Sequence, residues 1–132
     1  MSRIGLTVEQ LLVSTWSAAQ RPTYAAHVPG LNVLTGETLA LVGTGTAAVV
    51  DQLLDALPAC TVIDGGAAAQ AGTLRIHAQQ AARVGATFAD RVVVVHDGRV
   101  SAAYPVVAPT PRTRSDIDPV TRRVAARLAA HA

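Results

Sequence analysis

The stretch GETLALVGTGTAAVVDQLLDAL, Gly36 to Leu57, limits the fold more than any other part of this chain. Leu39 to Val42 form a continuous apolar run, the pattern of a strand buried on both faces and covered by other elements on each side. Val49, Val50, Leu53, Leu54 and Leu57 then recur at helical spacing until Pro58 stops them. A strand that runs through Gly43 and Gly45 directly into a helix opens a strand–helix–strand unit, which points to an α/β fold.

The rest of the chain extends that unit. CTVID reads as a second buried strand ending at Asp64. AAAQAGTLRIHAQQAARVG predicts a helix with a break or a late start near Gly72, capped by Gly85. DRVVVVHDGRVSAAYPVV predicts a hairpin, because Asp97-Gly98 is a strong two-residue turn signal between apolar runs. The segment APTPRTRS, punctuated by proline, predicts a linker. Asp118 is the expected N-cap of a last helix with Pro119 at its first position. Upstream, LTVEQLLVSTWS fits helix or strand, and Pro22, Pro29 and Gly30 mark loops, so the early region is expected as an antiparallel appendage. The domain expectation is an α/β body over 1–108, a linker over 109–118 and an amphipathic helix over 119–132.

Composition narrows the chemistry. Half of the 132 residues are hydrophobic and only 15% are charged, enough apolar surface for one packed core and too few charges for a disordered chain. The formal charge is +2, with every basic residue an arginine and no lysine at all, and a balance so small does not announce nucleic acid. The lone Cys60 excludes an internal disulfide and a cysteine-clustered metal site, and reads as a buried thiol. His27, His77, His96 and His131 lack ligand spacing, so no metal is expected. Neither a membrane-length apolar run nor a signal peptide is visible, and the cytoplasm is the expected compartment.

Two blocks in the right order carry a resemblance. GETLALVGTGTAAVVDQLLDAL looks like the Walker A region of ATP-binding-cassette (ABC) ATPases, and FADRVVVVHDGRVSA resembles a later stretch of the same domains. CTVID between them is similar to the Walker B strand, with Asp64 at its end. The resemblance implies a P-loop-like sheet with parallel core strands and flanking helices, followed by the hairpin and the terminal helix. It also shows what has been lost. With Gly43 as the first glycine of G-x-x-x-x-G-K-[ST], the degenerate positions Ala48, Val49 and Val50 replace the last three, lysine and hydroxyl included. Gly65 and Gly66 follow Asp64 where the family has a glutamate, and the only glutamates, Glu9 and Glu37, lie upstream.

Hydrolysis by this chain alone is therefore not expected, and no catalytic residue is assigned. The expected role is a non-catalytic accessory, regulatory or scaffolding protein. It would act through protein contacts, with itself or with an intact ABC ATPase of a transporter-associated complex. Two further readings follow from the residues. Gly43, Thr44, Gly45 and Thr46 could present backbone amides at a helix N-terminus and bind a nucleotide or phosphometabolite weakly, against Asp51 in the helix's first turn. Alternatively, Val120, Val124 and Leu128 could dock on a partner, with Arg122, Arg123 and Arg127 turned to nucleic acid or a membrane surface.

Overall fold

The computed structural model describes residues 7–15, 24–34, 36–56, 61–64, 76–109 and 111–131. The undecided early segment is a strand, β1 (Thr7–Ser14), followed by β2 (Tyr24–Val28), β3 (Leu31–Leu34) and β4 (Thr38–Gly43). Helix α1 (Thr46–Ala56) follows the glycines, then β5 (Thr61–Asp64), the short β6 (Ile76–His77) and helix α2 (Ala78–Phe88). Strands β7 (Arg91–His96) and β8 (Arg99–Pro105) precede the last helix, α3 (Arg114–Ala130). The main sheet runs β5-β1-β4-β7-β8 with β6 also on β1, while β2 and β3 form a separate two-stranded sheet.

Among the described strands only β4 and β7 pair in parallel, in register from Leu39↔Arg91 to Gly43↔Val95, so the sheet is mixed around one parallel pair. The early region is less of an appendage than its sequence suggests, because β1 enters the sheet antiparallel to β4. Strand alternation then divides the interior in two. Val8, Leu12, Ala40, Val42, Val92 and Val94 face α2 and α3, whose Ala81, Ala82, Val124 and Leu128 complete that cluster. Leu11, Val13, Leu39, Leu41, Val93 and Val95 face the other way, against Val49, Val50 and Leu53 of α1 and Leu31 and Val33 of β3. The sheet therefore lies between two layers. Each fully buried valine or leucine contributes about 1.5–3 kcal/mol, which lets a core almost without aromatic rings hold together.

Helix α2 departs from expectation. It continues through Gly85 to Phe88, and Gly85 is a buried helical position rather than a cap. A Cβ at Gly85 would stand 3.0 Å from the Ala40 Cβ and 3.1 Å from Val92 Cγ2, so glycine is there to let the helix lie close on the sheet. His77, expected on the helix, is its N-cap, and His77 Nδ1 accepts from Gln79 N–H at 3.2 Å. The segment 65–75 and Cys60 lie outside the described residues.

Helix α3 begins at Arg114, five residues before the expected start at Pro119. Thr113 is the N-cap: Asp116 N–H donates to Thr113 Oγ1 at 3.3 Å, and Thr113 N–H donates to Asp116 Oδ2 at 2.8 Å. This reciprocal capping box holds the helix start more firmly than Asp118 could, and leaves Pro119 inside the helix. The expected linker is also pinned. The Arg112 guanidinium donates to the carbonyls of Ala108 (2.8 Å), Ala86 (3.0 Å), Thr87 (3.3 Å), Ala89 (2.6 Å) and Val106 (3.3 Å), gathering the end of α2 and the exit from β8.

Candidate functional site

Because β4 and β7 run in parallel, their C-terminal ends lie side by side, at the edge where open α/β sheets commonly place ligands. Gly43 (φ +139°) and Gly45 (φ +73°) both hold left-handed-side backbone conformations there. A Cβ on Gly43 would lie 1.8 Å from the Val95 carbonyl oxygen, and one on Gly45 would lie 2.4 Å from the Gly98 nitrogen. Both glycines are thus accounted for by close backbone approach, Gly43 to the end of β7 and Gly45 to the turn between β7 and β8. That turn is the expected two-residue hairpin, with φ 51° at Asp97 and 80° at Gly98.

Hydrogen bonds fasten the two turns together. Thr44 N–H donates to Val95 O at 3.0 Å, Gly98 N–H donates to Thr44 O at 3.1 Å, and Asp97 N–H donates to Thr44 Oγ1 at 2.9 Å. Helix α1 begins at Thr46, so Ala48, Val49 and Val50 are helical residues. Val49 and Val50 are buried in the core beneath the helix, and Ala48 is exposed. Asp51, expected in the first turn, falls beyond it, and no acidic residue stands in that turn.

An acid from elsewhere takes that place. Glu9 of β1 lies on the face turned toward α1, and its Oε1 accepts from Thr46 N–H at 3.1 Å and from Thr46 Oγ1 at 2.8 Å. The positive end of the α1 dipole is therefore already matched by a carboxylate of the same chain. Replacing Glu9 with alanine is expected to destabilise the fold by about 1–2 kcal/mol, and with glutamine by less, measured by urea denaturation. A loss below about 0.3 kcal/mol in the alanine variant would mean that Glu9 does not cap α1.

Asp64 is not brought to this turn by the strands that carry it. Strand β5 is on the far side of β1 from β4, and Asp64 pairs with Leu12, level with Ala40 instead of Gly43. The three-residue setback along β1 amounts to ~10 Å, and the sideways separation to about as much again. A shallow cleft of ≈ 390 Å³ beside the hairpin is lined by Pro29, Gly30, Gln52, Gly98, Arg99 and Val100, with one cation and no acid–base pair. Among the described residues, no group of three or more His, Cys, Asp or Glu side chains could hold a metal ion. No helix among them is long and apolar enough to cross a membrane.

The C-terminal residues are divided. Val124 and Leu128 are buried in the chain's own core and Val120 packs against it, so that helix face is occupied by α2 and the sheet. This corrects the expectation of a free docking stripe, and the reason is that α3 starts early and folds back along α2. Arg122 and Arg123 are exposed, while Arg127 bonds Ser101 of β8. Glu9 was legible only as an upstream acid: it lies 37 positions from Thr46, and no local pattern joins them.

Comparisons of the chain with protein-family models, with curated proteins and with solved structures return no match.

Proposed function

We propose that this chain is a non-catalytic, ABC ATPase-like protein that acts through protein–protein contacts, as an accessory or scaffolding subunit. The observation that carries this reading is the Glu9 carboxylate at the N-terminus of α1, the place where a phosphate would have to sit. Thr44 N–H is likewise engaged by β7, and Val49 and Val50 point into the core. A nucleotide would have to displace an internal anion without the help of any lysine.

Surface features supply the positive side. Phe88 is 63% exposed and Val107 is 90% exposed, at the opposite end of β7 from the glycine turn. Arg112 ties Thr87, Val106 and Ala108 to one guanidinium, which keeps the two exposed apolar residues in one neighbourhood. An aromatic anchor beside an aliphatic one suits a protein contact. An intact cassette is the partner to test first, since cassettes act in pairs.

Equilibrium titration with labelled ATP, with and without magnesium, is expected to show no saturation up to about millimolar concentration, an affinity weaker than roughly −4 kcal/mol. Micromolar binding would instead favour the nucleotide-binding reading. A Phe88→Ser, Val107→Ser double variant should keep the wild-type thermal midpoint and weaken self-association or cassette binding in sedimentation runs. Unchanged association in that variant would remove this surface from the proposal.

A further inference from the structure

Helix α1 carries an acidic and apolar triplet that its own chain leaves unmatched. Asp51, Leu54 and Asp55 stand at positions i, i+3 and i+4, so they are neighbours on the helix surface, and all three are exposed. Leu53 is buried on the other side of the helix, while Leu54 is 39% exposed. The ion pairs among the described residues are Arg91–Glu37 and His96–Asp97, so neither Asp51 nor Asp55 has a cation of its own.

A surface of the reverse sign lies on α3. Arg123, Ala126 and Arg127 repeat the same spacing, and with Ala130 and Tyr104 of β8 they line a shallow groove of ≈ 320 Å³. Tyr104 and the two alanines supply its apolar part and the arginines its charge. Arg123 belongs to neither ion pair, and Arg127 gives Nε and Nη2 to Ser101 but keeps its Nη1 donors.

These surfaces cannot meet within one molecule, because α1 packs against one face of the sheet and α3 against the other. We propose that α1 of one copy docks in the α3–β8 groove of a second copy, seating Leu54 on Ala126, Ala130 and Tyr104 and pairing the aspartates with Arg123 and Arg127. Alanines opposite a leucine let two helices approach closely. Charge decides which faces meet: α1 on α1 would oppose aspartates, and α3 on α3 would oppose arginines. Since the two surfaces differ, the contact is head to tail and repeats from copy to copy. Exposed ion pairs contribute at most about 1 kcal/mol each, so the association is weak and salt-sensitive. This contact rests on the reading of a protein that acts through protein contacts, yet it uses a different surface from Phe88 and Val107.

Sedimentation velocity on the full chain tests it. Leu54→Glu and Ala126→Glu each add a charge at an exposed helix position, so neither should change the circular dichroism. At about 20 mM salt the wild type should pass from monomers to dimers and longer species as its concentration rises to about 1 mM, and about 500 mM salt should weaken this several-fold. Each variant alone should associate at least about tenfold more weakly. Their equimolar mixture should recover association and stop at dimers, since each chain keeps the surface that the other has lost. A wild type that stays monomeric would overturn the contact, as would a variant that associates like the wild type or a mixture that stays monomeric. None of those results bears on cassette binding by the Phe88 and Val107 surface, so the two readings fail separately.

Discussion

Gly43→Ala is expected to give little or no folded protein. The new Cβ would lie 1.8 Å from the Val95 oxygen and 2.8 Å from the Val95 carbonyl carbon, and both are backbone atoms of the adjacent parallel strand. No side chain can rotate away to relieve this. The φ of +139° adds a conformation that alanine rarely adopts. Parting β4 from β7 would open the centre of the sheet, where Val42 and Val94 pair and both are completely buried. A penalty above about 4 kcal/mol follows, against the roughly 5–15 kcal/mol that holds a domain of ordinary stability together. Gly36→Ala is the control. Gly36 also has a positive φ, +80°, but nothing lies within 4 Å of its added Cβ, so its cost should stay near 1–2 kcal/mol. Soluble yield, circular dichroism and urea midpoints compare the two. If Gly43→Ala melted within about 1 kcal/mol of the wild type, the glycine would not be a packing requirement of this sheet.

Arg91→Met should be the second most damaging change. Glu37 is 8% exposed, and its carboxylate takes a forked ion pair from Arg91, one arm being Arg91 Nε to Oε2 at 3.2 Å and the other Nη2 to Oε1. Leu34 N–H also donates to Oε1, at 3.3 Å, and Arg91 Nη2 reaches the Asn32 carbonyl at 2.7 Å. The pair thus joins β7 to β3 and to the turn before β4, a corner that Thr15 also closes, its Oγ1 donating to Leu34 O at 2.6 Å and accepting from Glu37 N–H at 3.1 Å. Removing the guanidinium leaves a carboxylate almost out of water with one amide donor, which costs about 3–5 kcal/mol. Glu37→Gln keeps an acceptor and should cost less. In the double variant no charge is stranded, so its loss should fall short of the sum of the two by about 1–3 kcal/mol in a denaturation cycle. Strict additivity would show that the ion pair does not act as a unit.

Much of the architecture was legible because it rests on short-range patterns. Apolar runs bounded by turn residues announced β4 and β7, and Asp97-Gly98 announced the hairpin, since two consecutive positive φ values suit few other residue pairs. Errors gathered where a local signal had a stronger rival. Asp118-Pro119 looked like a helix start, but Thr113 and Asp116 cap each other and begin α3 earlier. Gly85 looked like a helix stop, but a small residue was needed where α2 crosses Ala40 and Val92.

By itself the amino-acid sequence determined the α/β class, the strand–glycine–helix unit and the absence of any lysine that could meet a phosphate. Each of these depends on composition or on neighbours a few positions apart. Only the tertiary structure decided that Glu9 sits at the head of α1, that Gly43 and Gly45 lie against the end of β7 and the turn after it, and that Val124 and Leu128 belong to the core. Those outcomes depend on which strands pair and which helix covers which face. Such choices are made by packing between residues 30 or more positions apart, and no local pattern encodes them.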